Sequence, residues 1–140
     1  MRLLFDSSVI ILGFEEKNSN SALLLDMVLD RKLGRPYISG KVIEEVTRYF
    51  RRRLGRKYAF LIERMLDRNF EVVARRDLTL LLCELKGRIK DKDLEHLAAA
   101  RKVGATFIIA FDRDFEGIPE YRTPKQIIGM LNMNGYPSDY

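Results

Sequence analysis

Short apolar runs alternate with longer amphipathic stretches along most of the chain. The runs contain β-branched or aromatic residues, are bounded by polar residues or glycine, and lie at residues 2–5, 36–38, 70–73 and 106–110. Such short, continuous apolar segments are typical of parallel strands that are covered on both faces. A last, short edge strand is predicted within residues 121–123.

Between these runs the apolar residues recur at helical spacing. Helices are predicted over residues 21–32, from after Ser39 to Gly55, over about 56–68, over 77–86, from Asp93 to Gly104, and from Pro124 onward. Ser39 is a suitable N-cap, and Gly34 and Gly104 are suitable ends. The alternation predicts an α/β fold, a three-layer α/β/α sandwich with a central parallel sheet.

Composition narrows the class of protein. The 140 residues amount to one domain, and 46% apolar residues exclude intrinsic disorder. The single Cys83 excludes an internal disulfide, and no apolar run approaches the ~20 residues of a membrane span. We therefore expect one cytoplasmic domain over residues 1–140, with residues 132–140 frayed. No glycine-rich phosphate loop follows a predicted strand, so we expect no nucleotide cofactor.

Acidic residues cluster where the predicted strands end. They are Asp6 after the first strand, Glu44 and Glu45 on the helix after the second, Asp91 and Asp93 before the fourth, and Asp112 and Asp114 after it. Ligands of parallel α/β sheets bind beyond the carboxyl ends of the strands, so these carboxylates are expected at one edge. The alternative is that each acid merely caps a helix or turn.

A carboxylate cluster is costly unless a cation neutralises it. The chain as a whole has a net charge of +5, which weakly indicates a polyanionic partner. A hard divalent cation, Mg²⁺ or Mn²⁺, suits oxygen ligands, binds phosphate oxygens and activates water. The sequence therefore predicts the chemistry of a metal-dependent nuclease.

The same positions resemble, in the right order, the motifs of PIN-domain nucleases. These are DSSVI at residues 6–10, SGKVIEEV at 39–46, KDLEHLAAA at 92–100, and the stretch 106–115 ending in DRDF. Within this resemblance the second motif selects Glu45 rather than Glu44, and the third selects Asp93 rather than Asp91. The resemblance continues through residues 121–124 and the following helix, and so spans almost the whole chain.

The resemblance implies an α/β/α sandwich and Mg²⁺- or Mn²⁺-dependent endoribonuclease activity. The implied catalytic acids are Asp6, Glu45, Asp93 and Asp112. The implied metal ligands are Asp6, Asp93 and Asp112, with Asp114 as an outer or second-metal ligand and Glu45 acting partly through water. Ser8 and Ser39 are candidates for orienting these carboxylates, with simple helix capping as the equal alternative.

Many small stand-alone members of this family are VapC-type toxins of toxin–antitoxin pairs. RNA, an antitoxin protein and a second copy of the chain are therefore the expected partners. Ala110 departs from the family pattern, which commonly has Thr, Ser or Asn there. This departure supports the alternative of a catalytically weak PIN-like scaffold that binds RNA or protein. A receiver-like domain is disfavoured, because a lone Asp6 follows the first strand and Ala74 the third.

A basic run at residues 48–57 lies near the predicted acidic edge. Arg51, Arg52 and Arg53 are its candidates for binding an RNA backbone, with an ordinary solvated helix face as the alternative. Tyr49 and Phe50 fall on or beside the apolar stripe of the helix, so we expect them to pack in the core.

Three further features are expected to be structural. His96, the single histidine, is predicted to be a surface or boundary residue rather than a catalytic base. Cys83 is predicted to be a small buried apolar residue. The apolar stretch 127–131 suits either the core or a dimer interface.

Overall fold

The computed structural model describes residues 1–111, 115 and 117–138. Within them the strands are β1 (Leu3–Phe5), β2 (Tyr37–Ser39), β3 (Glu71–Val73), β4 (Phe107–Ile109) and β5 (Tyr121–Arg122). They form one parallel sheet in the order β3-β2-β1-β4-β5. The first strand of the chain is thus central, with Leu4 paired to Tyr37 on one side and to Ile108 on the other.

Helices connect the strands. They are α1 (Ser7–Glu15), α2 (Asn20–Leu29), α3 (Gly40–Leu54), α4 (Arg56–Asn69), α5 (Thr79–Leu85), α6 (Leu94–Val103) and α7 (Pro124–Met130). Two short 3₁₀ turns, Arg75–Leu78 and Asp91–Asp93, precede α5 and α6. The predicted order of strands and helices is confirmed, with boundary shifts of a few residues, except that α1 was not predicted.

The side chains of β1 alternate between two apolar layers. Leu3 and Phe5 pack against α1, α2, α3, α4 and α7, whereas Leu4 packs against α5, α6 and the turn before α5. All three side chains are buried, as expected for the central strand of a sheet covered on both faces. The predicted three-layer α/β/α architecture is confirmed.

Helix α1 escaped prediction because apolar side chains cover most of its circumference. Val9 and Ile10 are buried, while Ile11 and Phe14 are half-buried against the same core. The helix packs between α2 and α3, and a Cβ at Gly13 would lie 3.1 Å from the Ser21 carbonyl oxygen. A helix that is wedged between others has no polar face, so its sequence lacks the 3.6-residue alternation.

The predicted caps at Ser39 and Gly104 are confirmed, whereas Gly34 does not end a helix, because α2 ends at Leu29 with Asp30 as its C-cap. The Ser39 hydroxyl accepts a hydrogen bond from the Val42 amide at the start of α3, and Gly104 ends α6 with a left-handed φ of 62°. At α7, Thr123 and Gln126 form a reciprocal capping box ahead of a proline in the first turn.

Cys83 is exposed, so the prediction that it is buried is wrong. The short helix α5 fully buries only Leu85 and, with the preceding turn, Leu78; between them Leu81 and Leu82 are half-buried against the core, whereas Leu80 and Cys83 face away from it. By contrast, Ile127 and Ile128 are fully buried and belong to the core.

Two described residues of the stretch 132–140, which was expected to fray, form hydrogen bonds with α2. The buried Asn20 amide group donates to the carbonyl oxygens of Tyr136 and Ser138 and accepts from the Tyr136 amide. Gly135 lies so close to Asn20 that it has no room for a side chain. Among the described residues, no helix has the length and apolar character needed to cross a membrane.

Candidate active site

Asp6 lies where β1 ends and is held there by three contacts. Its amide donates to the Ile109 carbonyl oxygen at 2.9 Å, which fixes the residue beside the end of β4. The Ser8 hydroxyl donates to Asp6 Oδ2 at 2.7 Å. Asp6 Oδ1 lies 3.1 Å from His96 Nε2. The carboxylate is buried and both of its oxygens have polar neighbours.

Glu45 reaches the same place from α3, which begins at the carboxyl end of β2. Its Oε1 lies 3.6 Å from His96 Nε2, so one imidazole nitrogen contacts both Asp6 and Glu45. Glu45 is half-buried, whereas the neighbouring Glu44 is exposed. The structure therefore brings together Asp6 and Glu45, as predicted.

His96 is buried, so the prediction of a surface or boundary position is wrong. Every residue of α6 from Glu95 to Ala100 is buried, because the helix packs its small alanines closely against the sheet. No polar face remains on this stretch, and His96 projects toward the ends of the strands. The run of alanines was the available signal, since a helix so rich in small residues approaches its neighbours closely.

The three side chains alter each other's protonation. Burial alone would lower the pKa of His96, but the polar contact with Glu45 and the charge of Asp6 raise it above the ordinary histidine value. Burial would raise the pKa of Glu45, but His96, with help from Lys41 and Arg48, lowers it. The arrangement therefore favours an imidazolium between two carboxylates.

Asp93 is buried at the N-terminus of α6, whereas Asp91 is exposed. This difference agrees with the motif alignment, which selected Asp93. Beside it, Glu95 is also buried; its Oε2 accepts from the Lys41 amide at 3.0 Å, and its Oε1 lies 3.7 Å from Arg75. Glu95, which the sequence did not single out, therefore ties the start of α3 to α6, the two helices that carry Glu45 and His96.

Three predicted residues of the carboxylate site remain: Ser39, Asp112 and Asp114. Ser39 is fully buried and caps α3, which is the structural alternative considered for it. Asp112 and Asp114, predicted as acids of the closing motif, lie outside the described residues. Within the described part of the chain, no group of three or more His, Cys, Asp or Glu side chains is arranged to hold a metal ion.

A cavity of about 450 Å³ adjoins the Glu45 carboxylate. It is lined by Ser7, Ile11, Glu45, Arg48, Tyr49, Arg52 and Arg53. Arg51 instead lines a separate cavity with Arg56, Phe60 and Glu63. Of the three predicted RNA-binding arginines, the structure thus places Arg52 and Arg53 beside Glu45, and Arg51 on another side of α3. Phe50 is buried as predicted, and Tyr49 is half-buried in the cavity wall.

Comparison with known proteins gives a family match over most of the chain. The family model described as PIN domain matches residues 2–114. The chain belongs to the PIN domain family. The resemblance drawn from its motifs is thereby confirmed. No curated protein matches the sequence.

Solved structures share this PIN-domain fold. A toxin–antitoxin complex from Klebsiella pneumoniae contains a chain that is 21% identical, with a TM-score of 0.69, covering 87% of this chain and 97% of that one. VapC20 of Mycobacterium tuberculosis, described as a toxin that cleaves the sarcin-ricin loop, is 23% identical, with a TM-score of 0.61 and coverage of 82% and 93%. A Pyrobaculum aerophilum protein is 15% identical, with a TM-score of 0.58, covering 94% of this chain and 90% of that one.

The donor set of this PIN domain fits a divalent cation. Asp6 and Glu45 supply carboxylate oxygens, which hard divalent ions prefer. At 3.6 Å the contact of Glu45 Oε1 with His96 is longer than a hydrogen bond, and among the described residues this buried oxygen accepts no hydrogen bond. A buried carboxylate oxygen in that state is available as a ligand.

Proposed function

We propose that this PIN domain is a divalent-metal-dependent endoribonuclease that hydrolyses phosphodiester bonds at the carboxyl edge of its sheet. One observation carries the proposal: Asp6 and Glu45, from distant segments, converge on His96 Nε2 at 3.1 and 3.6 Å. Helix capping does not explain this convergence, because the Asp6 side chain makes no capping hydrogen bond to a described residue and Glu45 lies inside α3, whose N-cap is Ser39. The family membership supports nuclease activity.

The residues proposed to hold the metal, Mg²⁺ or Mn²⁺, are Asp6, Asp93 and Asp112, with Asp114 as an outer ligand and Glu45 acting partly through water. A divalent ion in such a site supplies charge neutralisation at the phosphate and an activated water. Two of these acids, Asp112 and Asp114, carry over from the motif alone. Asp6, Glu45 and Asp93 are in addition partly or fully buried, and a buried carboxylate is costly unless polar groups or cations stabilise its charge.

The protein's own groups position the acids. Ser8 donates to Asp6 Oδ2, which leaves Oδ1 toward His96 and fixes the carboxylate plane. His96 holds Asp6 and Glu45 near one another and offsets their repulsion. We therefore assign Ser8 and His96 as positioning residues.

The test is cleavage of a mixed RNA pool in EDTA, in Mg²⁺ and in Mn²⁺. We expect cleavage with either metal, none in EDTA, and products with 5′-phosphate and 3′-hydroxyl ends. Asp6→Asn, purified in parallel, reports any contaminating ribonuclease. Equal cleavage by Asp6→Asn, or none with either metal, would refute the proposal.

A second candidate function has its own support. The buried Ala110, at the end of β4, lacks the side-chain hydroxyl or amide that the family commonly places there. RNA or protein binding without metal-dependent cleavage would favour a catalytically weak PIN-like scaffold. Restoring activity with Ala110→Thr would then identify the missing group as the cause.

Replacing Ser8 is expected to slow cleavage without unfolding the protein. Ser8→Ala removes the 2.7 Å hydrogen bond to Asp6, and loss of a group that orients a metal ligand costs about 10–100-fold in activity or metal affinity. Ser8→Thr, which keeps the hydroxyl, is the matched control and is expected to retain most of the rate. Comparable loss in both variants would contradict the orienting role.

The proposed partners follow from the same comparisons. The Klebsiella chain occurs in a toxin–antitoxin complex, which supports an antitoxin protein as a partner of this chain. A homodimer is proposed from the family resemblance alone, since Ile127 and Ile128, once candidates for its interface, are buried in the core. Size-exclusion chromatography with light scattering tests the oligomeric state.

A further inference from the structure

The faces of α3 divide its arginines into two sets. Residues 45, 48, 49 and 52 are three or four positions apart, so they share one side of a helix. Glu45, Arg48 and Arg52 accordingly line the same cavity, of about 450 Å³. Arg51 falls on another side and lines a separate cavity. The basic run is therefore two surfaces, of which only one adjoins the carboxylates.

Arg48 and Arg52 differ from Arg53 in their contacts with the rest of the protein. Within the described part of the chain neither forms an ion pair, and both are exposed, whereas Arg53 in the same cavity contacts Glu15 at 3.7 Å and stacks on the Tyr49 ring at 4.6 Å. Arg53 is thus occupied by the protein. Arg48 and Arg52 remain available to a ligand that enters the cavity.

We propose that Arg48 and Arg52 bind consecutive phosphates of single-stranded RNA next to the scissile bond, with the cavity between them and Glu45 holding the intervening nucleotide. The inference rests on the proposed function, because it takes the carboxylate edge as the place of cleavage. It adds Arg48, which the sequence did not single out, and removes Arg51 from the path of the strand.

The geometry suits a phosphate backbone. Four residues of α-helix rise about 6 Å, which is of the order of the spacing between successive phosphates in an extended strand. Guanidinium groups bind phosphate oxygens in a bidentate manner, and grooves that track single strands combine cations with apolar walls. The half-buried Ile11 and Tyr49 supply such a wall in this cavity.

Electrostatics explains why cations are needed at this position. An RNA strand that approaches Asp6 and Glu45 meets like charges, which raise the energy of the complex. Arg48 is close enough to Glu45 to lower the pKa of that carboxyl. Arg48 and Arg52, which form no ion pair with a described residue, therefore offset the repulsion on the side from which the strand enters.

The test compares two double variants of equal charge. Arg48→Ala/Arg52→Ala removes the proposed phosphate contacts, and Arg56→Ala/Arg64→Ala removes two exposed arginines of α4 that line other cavities. Binding of a fluorescent 12-nucleotide single-stranded RNA is measured by anisotropy in EDTA over a range of salt concentrations. EDTA prevents metal-dependent cleavage, so binding is read separately from catalysis.

We expect Arg48→Ala/Arg52→Ala to bind roughly tenfold more weakly at low salt. The slope of log K against log salt should fall by about 1.4, at about 0.7 for each phosphate contact on a single strand. The α4 variant should keep the wild-type slope. Arg48→Lys/Arg52→Lys should recover most of the slope, because lysine preserves the charge.

Equal slopes for the two alanine variants, or no RNA binding by the wild type, would overturn the inference. Competition by polyglutamate that is as strong as that by RNA would indicate an acidic polypeptide as the occupant and would also overturn it. Metal-dependent cleavage with unaltered binding in Arg48→Ala/Arg52→Ala refutes this inference alone. If Arg48→Ala/Arg52→Ala shows the expected smaller salt slope but the wild type cleaves no RNA, the RNA-binding inference is supported and the proposed nuclease function is refuted.

Discussion

Glu45→Gln is expected to reduce metal-dependent RNA cleavage by about 100-fold or more, which is the scale on which metal-site residues and the groups that support them act. Glutamine keeps the size and polarity of the side chain but removes the negative charge beside Asp6. Glu45 is half-buried and its Oε1 lies 3.6 Å from His96 Nε2, so the substitution removes a negative charge from within the carboxylate site.

Glu44→Gln is the matched control for this experiment. Glu44 is the adjacent residue, carries the same charge and is exposed to solvent. We expect this variant to cleave RNA within about twofold of the wild type, because a screened surface charge contributes little at a distance. Initial rates at saturating Mn²⁺ compare the two. Equal loss in both variants would show that net charge, rather than the position of Glu45, determines the rate.

His96→Gln is expected to destabilise the protein by about 3 kcal/mol at pH 6 in EDTA, because it removes one partner from a buried ion pair. His96 and Asp6 are both buried, and their closest atoms are 3.1 Å apart. Without the imidazolium, Asp6 faces Glu45 with no compensating charge between them. Urea unfolding followed by circular dichroism measures the difference.

The same histidine is expected to make the stability of the protein depend on pH. Its pKa is raised in the folded state by Glu45 and Asp6, against burial and the nearby Lys41. The native protein therefore holds this proton more tightly than the unfolded chain. Its stabilising contribution is complete below the ordinary histidine pKa of about 6.5 and is lost as pH rises through the raised value.

The contribution of Glu45 to the pH dependence of stability has the opposite sign. Because its folded-state pKa is lowered, its contribution is complete above the ordinary glutamate value and is lost as pH falls through the lowered value. The metal-free wild type should thus be most stable in mildly acidic solution and lose stability as the pH rises through the raised His96 pKa. His96→Gln should lack this alkaline decline. A decline of the same size in the variant would exclude His96 as its source.

The acids could be predicted from sequence because their placement is governed by local rules. Asp6 immediately follows an apolar strand, and the ends of parallel strands share one edge. Glu45 lies on the helix closer to the stripe of Val42 and Val46 than Glu44 does, so helical periodicity alone favours it as the half-buried member of the pair. The same periodicity places Arg48 and Arg52 on the side of α3 that carries Glu45. Treating the consecutive arginines 51–53 as one patch overlooks this relation.

The histidine and the first helix could not be predicted because their positions depend on tertiary packing. α6 is buried on almost every side at Glu95 and His96, and α1 is wedged between two other helices. In both, apolar neighbours surround the element, so the sequence shows no polar face from which orientation could be inferred. Glu95 is buried for the same reason, and only the folded chain shows that it receives the amide at the start of α3.

The central position of β1 affects the order of events during synthesis. Asp6 and β1 emerge first, but β4, which fixes the Asp6 amide, and His96, which contacts its carboxylate, belong to the last third of the chain. Pairings between such distant segments form late, because closing a long loop is entropically costly. A nascent or truncated chain without α6 and β4 would therefore lack the carboxylate arrangement. The site can form only after these two elements have been synthesised and have packed against β1.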